Sequence, residues 1–114
     1  MRKAVAAFVL IVSAALLAPT ASAQRRAMLG EGLASCGQWT QARQANDPKV
    51  GRMAQWVAGF LSGLNTEATG KDFLVGTDFD AVMGWVDNYC RAQPLDPLVT
   101  AAAKLRNELQ SRAK

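Results

Sequence analysis

The residues able to carry chemistry are few and widely spaced. The chain has no histidine, which removes serine–histidine, cysteine–histidine and imidazole–metal arrangements together. Its two cysteines, Cys36 and Cys90, are too far apart for a C-x-x-C redox pair. Two thiols without histidine also fall short of a zinc shell. No glycine-rich loop follows a strand-like run, so a phosphate cradle has no candidate. Four acids, Asp72, Asp78, Asp80 and Asp87, gather in one stretch. Asp78 and Asp80 flank Phe79 like a fragment of a calcium loop, but no bidentate Glu follows at the required place. Helix caps and a solvated face account for these acids better. The expectation is a non-enzymatic protein with no catalytic residue, no metal and no cofactor.

The cysteines acquire a meaning from the start of the chain. A basic "MRK" precedes the uncharged apolar run "AVAAFVLIVSAALLA", and "ASA" closes at Ala23. That is the layout of a secretory signal peptide with a small-residue cleavage site. The run is shorter than the roughly 20 apolar residues a membrane span needs. Residues 1–23 are therefore read as a leader, and residues 24–114 as one small domain, periplasmic or secreted. In an oxidising compartment Cys36 and Cys90 are expected to form one disulfide; free thiols or a metal site are the alternatives. The bond would close a long loop, worth about 4 kcal/mol on the loop-entropy account. A domain this small benefits from such a staple.

Charge says little beyond making nucleic acid a poor guess. Of the 13 basic residues Arg2 and Lys3 would leave with the leader, so 11 face the 9 acids. They are scattered, and no basic stripe marks a nucleic-acid surface. No membrane contact is expected after cleavage, and nothing sets an oligomeric state.

The elements that must position these residues read as about four helices, an all-α bundle. Leu29, Leu33, Cys36 and Trp39 or Thr40 recur at steps of four and three, predicting a first helix across that stretch. Asp47 and Pro48 mark the start of a second. In it Met53, Trp56, Val57, Phe60, Leu61 and Leu64 form one apolar stripe, and Asn65 marks its end. Gly59 and Gly63 predict close approach of another helix, with a ligand or partner groove as the other reading. Phe73 to Val75 is a short connecting run, possibly extended. Asp78 caps a third helix with Phe79, Val82, Met83, Val86 and Cys90 inward and Trp85 off the stripe. Asp96 and Pro97 repeat the Asp-Pro start. Leu98, Ala102, Leu105 and Leu109 then line a last helix, with Lys104, Arg106 and Glu108 outward. The apolar residues chosen as the candidate partner-binding surface are Trp56, Val57, Phe60, Leu61 and Trp85.

Several of these features occur together in a known family. Cys36, Gly59-Phe60, Leu64-Asn65, Asp78, Cys90 and Lys104 resemble the HdeA/HdeB family of periplasmic acid-stress chaperones. The resemblance implies an all-helical domain with one disulfide, idle when folded at neutral pH, that opens in acid to hold unfolded clients. The longer segment between Cys36 and the central helix, and the turn "QPLDPL", depart from that pattern. A second likeness is to the Tai-type immunity proteins of type VI secretion, where "WVAGF" and "YCRAQP" match, with Gln93 in place of a histidine. That likeness implies a specific inhibitor of one protein partner. On the chaperone reading, acid opening is expected to work through the capping carboxylates Asp47, Asp78 and Asp96.

Overall fold

The structure, a computed structural model, describes residues 26–113. The expected leader lies outside the described residues. Four helices follow one another: α1, Cys36–Gln44; α2, Lys49–Glu67; α3, Phe79–Ala92; and α4, Leu98–Arg112. A single 3-10 turn, Glu31–Leu33, precedes them. No strand occurs among the described residues, and no helix there is long and apolar enough to cross a membrane. Cys36 and Cys90 are bonded, with their Cα atoms 4.6 Å apart, closing a separation of 54 residues. The chain is a small all-α bundle with one disulfide.

The first helix begins later than the spacing of its apolar residues predicts. Leu29 and Leu33 are 86% and 63% exposed and lie ahead of α1. A capping box sets the boundary. Gln38 donates its N–H to Ser35 Oγ at 3.1 Å, and Ser35 donates its N–H to Gln38 Oε1 at 2.9 Å. This Ser-x-x-Gln signature satisfies backbone donors that a helix beginning at Leu29 would leave elsewhere. The loop before α4 satisfies two more, since Cys36 and Gly37 donate to the carbonyls of Asp96 and Pro94 at 2.7 and 2.8 Å. Leu98 returns an N–H to the Ala34 carbonyl at 2.8 Å. The start of α1 is thus sewn to the loop that follows α3.

At the other end of α1 the chain turns through Asn46, whose φ of +49° is left-handed. Asp47 donates its N–H to the Ala42 carbonyl at 3.0 Å, and Asn46 to that of Arg43, the pattern of a Schellman stop with asparagine in glycine's usual place. Pro48, expected as the first helical residue, takes the N-cap position of α2 instead, and Asp47, expected there, lies one residue before it and accepts the Lys49 N–H at 2.9 Å. Asp78 caps α3 as expected, accepting from Ala81 at 2.8 Å. Asp96 does not cap α4. Pro97 holds that position, and the Asp96 carboxylate instead accepts the Tyr89 hydroxyl at 2.5 Å.

The core follows the apolar stripes. Met53, Val57 and Leu61 of α2, Val82, Met83 and Val86 of α3, and Leu98, Ala102, Leu105 and Leu109 of α4 are all buried around Trp39 of α1. Phe79, expected inward, is 44% exposed at the first turn of α3. Phe73 is buried, but from a turn rather than an extended run. Asn65, near the end of α2, accepts the Phe73 N–H at 3.0 Å and donates to Asp72 at 2.8 Å. One side chain thus holds the connector down while its phenyl ring fills the core.

Candidate functional site

The five candidate binding residues do not form one surface. Val57 and Leu61 are 0% and 1% exposed and belong to the core, so a partner meeting the folded protein cannot touch them. Trp56 and Phe60 are half-buried and stack with ring centroids 5.1 Å apart, 14° from parallel. Trp85 works elsewhere. It stacks on Tyr89 at 5.3 Å and donates its indole N–H to Glu108 of α4 at 2.9 Å. A shared period of 3.6 puts Trp56 and Phe60 on one face, but α3 is a different helix and its edge turns to α4.

The expectation for the glycines is overturned. A Cβ added at Gly59 or Gly63 would meet nothing within 4 Å, and both residues are exposed. No helix approaches them. The glycine in close contact is Gly32, in the turn before α1, where a Cβ would lie 2.1 Å from the Trp56 ring. Its signal was weak, because the distance in sequence from Gly32 to Trp56 gives no hint that they touch.

The most concentrated polar geometry lies between α1 and α3. Asp87 accepts three hydrogen bonds: the Trp39 indole N–H at 2.8 Å, Arg43 Nε at 2.9 Å, and an Arg43 terminal nitrogen at 2.6 Å. The Arg43 guanidinium also lies 5.5 Å from the centre of the Trp39 ring, within cation–π range. Burial pushes the Asp87 carboxyl up, but the bonds from Arg43 and Trp39 and the nearby charges of Arg43 and Arg91 outweigh it, leaving it below its ordinary value. The bond to Asp87 raises Arg43 in turn, against the effect of burial. Trp39 itself is wholly buried, so its N–H depends on this carboxylate for a partner.

A helix cap or solvated face, the expectation for Asp87, gives way to this part-buried pairing, and the disulfide supplies the signal for it. Cys36 opens α1 and Cys90 lies near the end of α3, so the bond pairs the two helices antiparallel. Three residues into α1 is Trp39; three residues back along α3 is Asp87. One turn from a common anchor, the two must face each other. Arg43, one turn beyond Trp39 on the same face, completes the clamp.

Among the described residues no group of three or more Cys, Asp or Glu could hold a metal ion. The arrangement holds α1 against α3. Compared with protein families, with characterised proteins and with solved structures, the chain matches none of them.

Proposed function

We propose that this is an exported, non-enzymatic protein of the acid-stress chaperone type, which binds other proteins through apolar helix faces that the folded state covers. The observation that carries this reading is the Asp87 clamp. A single carboxylate, held as an anion, ties α1 to the helix that carries Val82, Met83 and Val86 of the core. Its pKa lies below the ordinary value when folded. The stabilisation is therefore complete above the usual carboxylate range and is lost as pH falls through the lowered folded value. Of the carboxylates expected to cap helices, Asp78 caps α3 but Asp96 does not cap α4, and this reading rests on the clamp rather than on the caps.

On this reading, protonation removes the ion pair with Arg43 and weakens the acceptor of the Trp39 N–H. Below that pH the remaining charges are positive, and they repel one another. The seam between α1 and α3 loosens while the Cys36–Cys90 bond keeps the helices tethered. Val57 and Leu61, covered in the folded protein, then become available to clients beside Trp56 and Phe60. The test is aggregation of a model client at about pH 2–3, with and without the protein, alongside its own circular dichroism. Suppressed aggregation with loss of native helix packing is expected. Retained native structure with no protection rejects the reading.

A second reading, a specific inhibitor that binds one partner at neutral pH, draws on a different observation. An open groove between α2, the connector and α3 is lined by Ala58, Ser62, Leu74, Thr77, Asp78 and Phe79, with Phe79 nearly half exposed in the folded state. Recovery of one stoichiometric partner at neutral pH, lost on Phe79→Asp, would favour it over the chaperone.

A further inference from the structure

We propose that residues 93–97 form a strap that seals the Cys36–Cys90 disulfide against thiol reductants, with the Tyr89–Asp96 hydrogen bond as its latch. Access to the bond is then gained by release of the strap, without unfolding of the bundle. Both cysteines are 0% exposed. The chain leaves α3 at Gln93, just after Cys90, and runs back across the start of α1. There the Asp96 carbonyl accepts the Cys36 N–H at 2.7 Å, and the Pro94 carbonyl accepts that of Gly37 at 2.8 Å. Pro97 forms an antiparallel bridge with Ser35. One short segment therefore starts beside one cysteine and is laid against the other.

The strap is built apart from the core. No residue from 93 to 97 belongs to the buried apolar cluster, and Leu95 is 93% exposed. Directed bonds hold it in place of apolar burial. They are the two carbonyl contacts to α1, a turn bond from the Asp96 N–H to the Gln93 carbonyl at 3.2 Å, and the Tyr89 hydroxyl, which donates to the Asp96 carboxylate at 2.5 Å. The last is the one side-chain tie among the described residues, and Tyr89 is itself fixed by stacking on Trp85 at 5.3 Å. Undoing these bonds uncovers backbone and sulfur while Val57, Val86 and Leu105 stay packed. Openings of that kind cost less than global unfolding.

The chemistry at stake is thiol–disulfide exchange, in which a thiolate must reach one sulfur of the bond. With a dithiol reductant, the first thiolate attacks one cysteine sulfur, the S–S bond breaks, and the other cysteine leaves as a thiolate that takes a proton. The second thiol of the reductant then displaces the first cysteine and closes a cyclic disulfide. The protein gains two hydrogens and the reductant loses two. Reduction removes the covalent tie at the start of α1, a helix of nine residues that is too short to hold alone. The latch thus decides whether a reducing environment can detach α1.

The strap is tested at neutral pH without a client, so its failure and the failure of acid protection are separate results. The oxidised chain of residues 24–114 is treated with excess dithiothreitol, and new thiols are trapped with iodoacetamide and counted by mass spectrometry. The wild type should react far more slowly than the same chain unfolded in urea. Sub-denaturing urea should barely change its rate, because release of the strap exposes little surface. Tyr89→Phe should speed reduction about fivefold, as expected for one lost hydrogen bond. Asn65→Ala is the control. It deletes the bonds to Asp72 and Phe73, which lie with Leu109 and Arg112 at the far end of α4. It should lower the urea midpoint yet leave the reduction rate within about twofold of the wild type. An unchanged rate in Tyr89→Phe, or a wild-type rate that rises with urea at the full slope of the unfolding transition, overturns the proposal. So does acceleration by Asn65→Ala in step with its loss of stability. The urea dependence of the wild type decides alone if Tyr89→Phe fails to fold.

Discussion

The seam between α1 and α3 and the outer face of α2 are opposite solutions to the placing of a helix. The seam carries a covalent bond, a carboxylate with three donors, and a cation over an aromatic ring. The outer face of α2 carries Gly59 and Gly63, exposed and touching nothing. Helix length explains the difference. At nine residues α1 is far below the length at which an isolated helix holds in water, so it exists only through its attachments. At 19 residues α2 spans the bundle and buries Met53, Ala54, Val57 and Leu61 against it. Its burial suffices, and its far side is left free. Specific polar and covalent ties gather where apolar area is scarce.

The largest break in that comparison should come from the disulfide. Cys36→Ser with Cys90→Ser should cost about 4 kcal/mol in urea unfolding, on the loop-entropy account. A loss much greater than that would mean that α1 no longer docks at all. Asp87→Asn comes next. It removes the ion pair with Arg43 and half of the acceptor set around Trp39, and should cost about 1–3 kcal/mol at neutral pH. The dependence on pH gives it a sharper signature. Because the folded carboxyl titrates below its ordinary value, the gap in Tm between wild type and variant should shrink as pH falls, and close once Asp87 is protonated in both states. A gap that stays constant down to the acid transition would place the acid sensitivity elsewhere.

Smaller effects test the edges of the seam. Tyr89→Phe deletes the hydroxyl that binds Asp96, and so frees the loop whose carbonyls receive the first N–H groups of α1. It should cost about 0.5–1.5 kcal/mol by chemical denaturation. The hydrogen bond to Asp96 raises the Tyr89 pKa. The contribution is therefore full below the ordinary tyrosine value and lost only as pH rises through the folded one, the reverse of Asp87. The smallest change should be favourable. Gly63→Ala, on a helix surface with open space around it, should raise stability by roughly 0.5–1 kcal/mol. A destabilised Gly63→Ala would restore the idea of a close neighbour there.

Local rules made much of the bundle legible in advance. The apolar stripes of α2 and α4, the Asp78 cap and, to within one residue, the start of α2 after Asp47 and Pro48 all depend on residues within one or two turns of each other. The pairing of Cys36 with Cys90 needed only the count of cysteines and the expected compartment. Periodicity alone misplaces the start of α1, because Leu29 and Leu33 fit a helical period while the Ser35–Gln38 capping box sets the boundary. It misreads Gly59 and Gly63 for a different reason. A glycine spacing shows that approach is permitted, and only the course of the other helices shows whether anything approaches.

The sequence by itself determined helix type, approximate helix number, the disulfide and the absence of any histidine chemistry, since each follows from residue identity or from short-range periodicity. Tertiary structure alone decided that Asp87 meets Trp39 and Arg43, that Asp96 serves Tyr89 rather than a helix end, and that Gly30 and Gly32 lie on Trp56. Each of these joins groups on separate elements, and a hydrogen bond of 2.8 Å depends on the register and rotation of both. A period of 3.6 residues fixes which side chains share one helix face; it leaves open which face of which neighbour they meet.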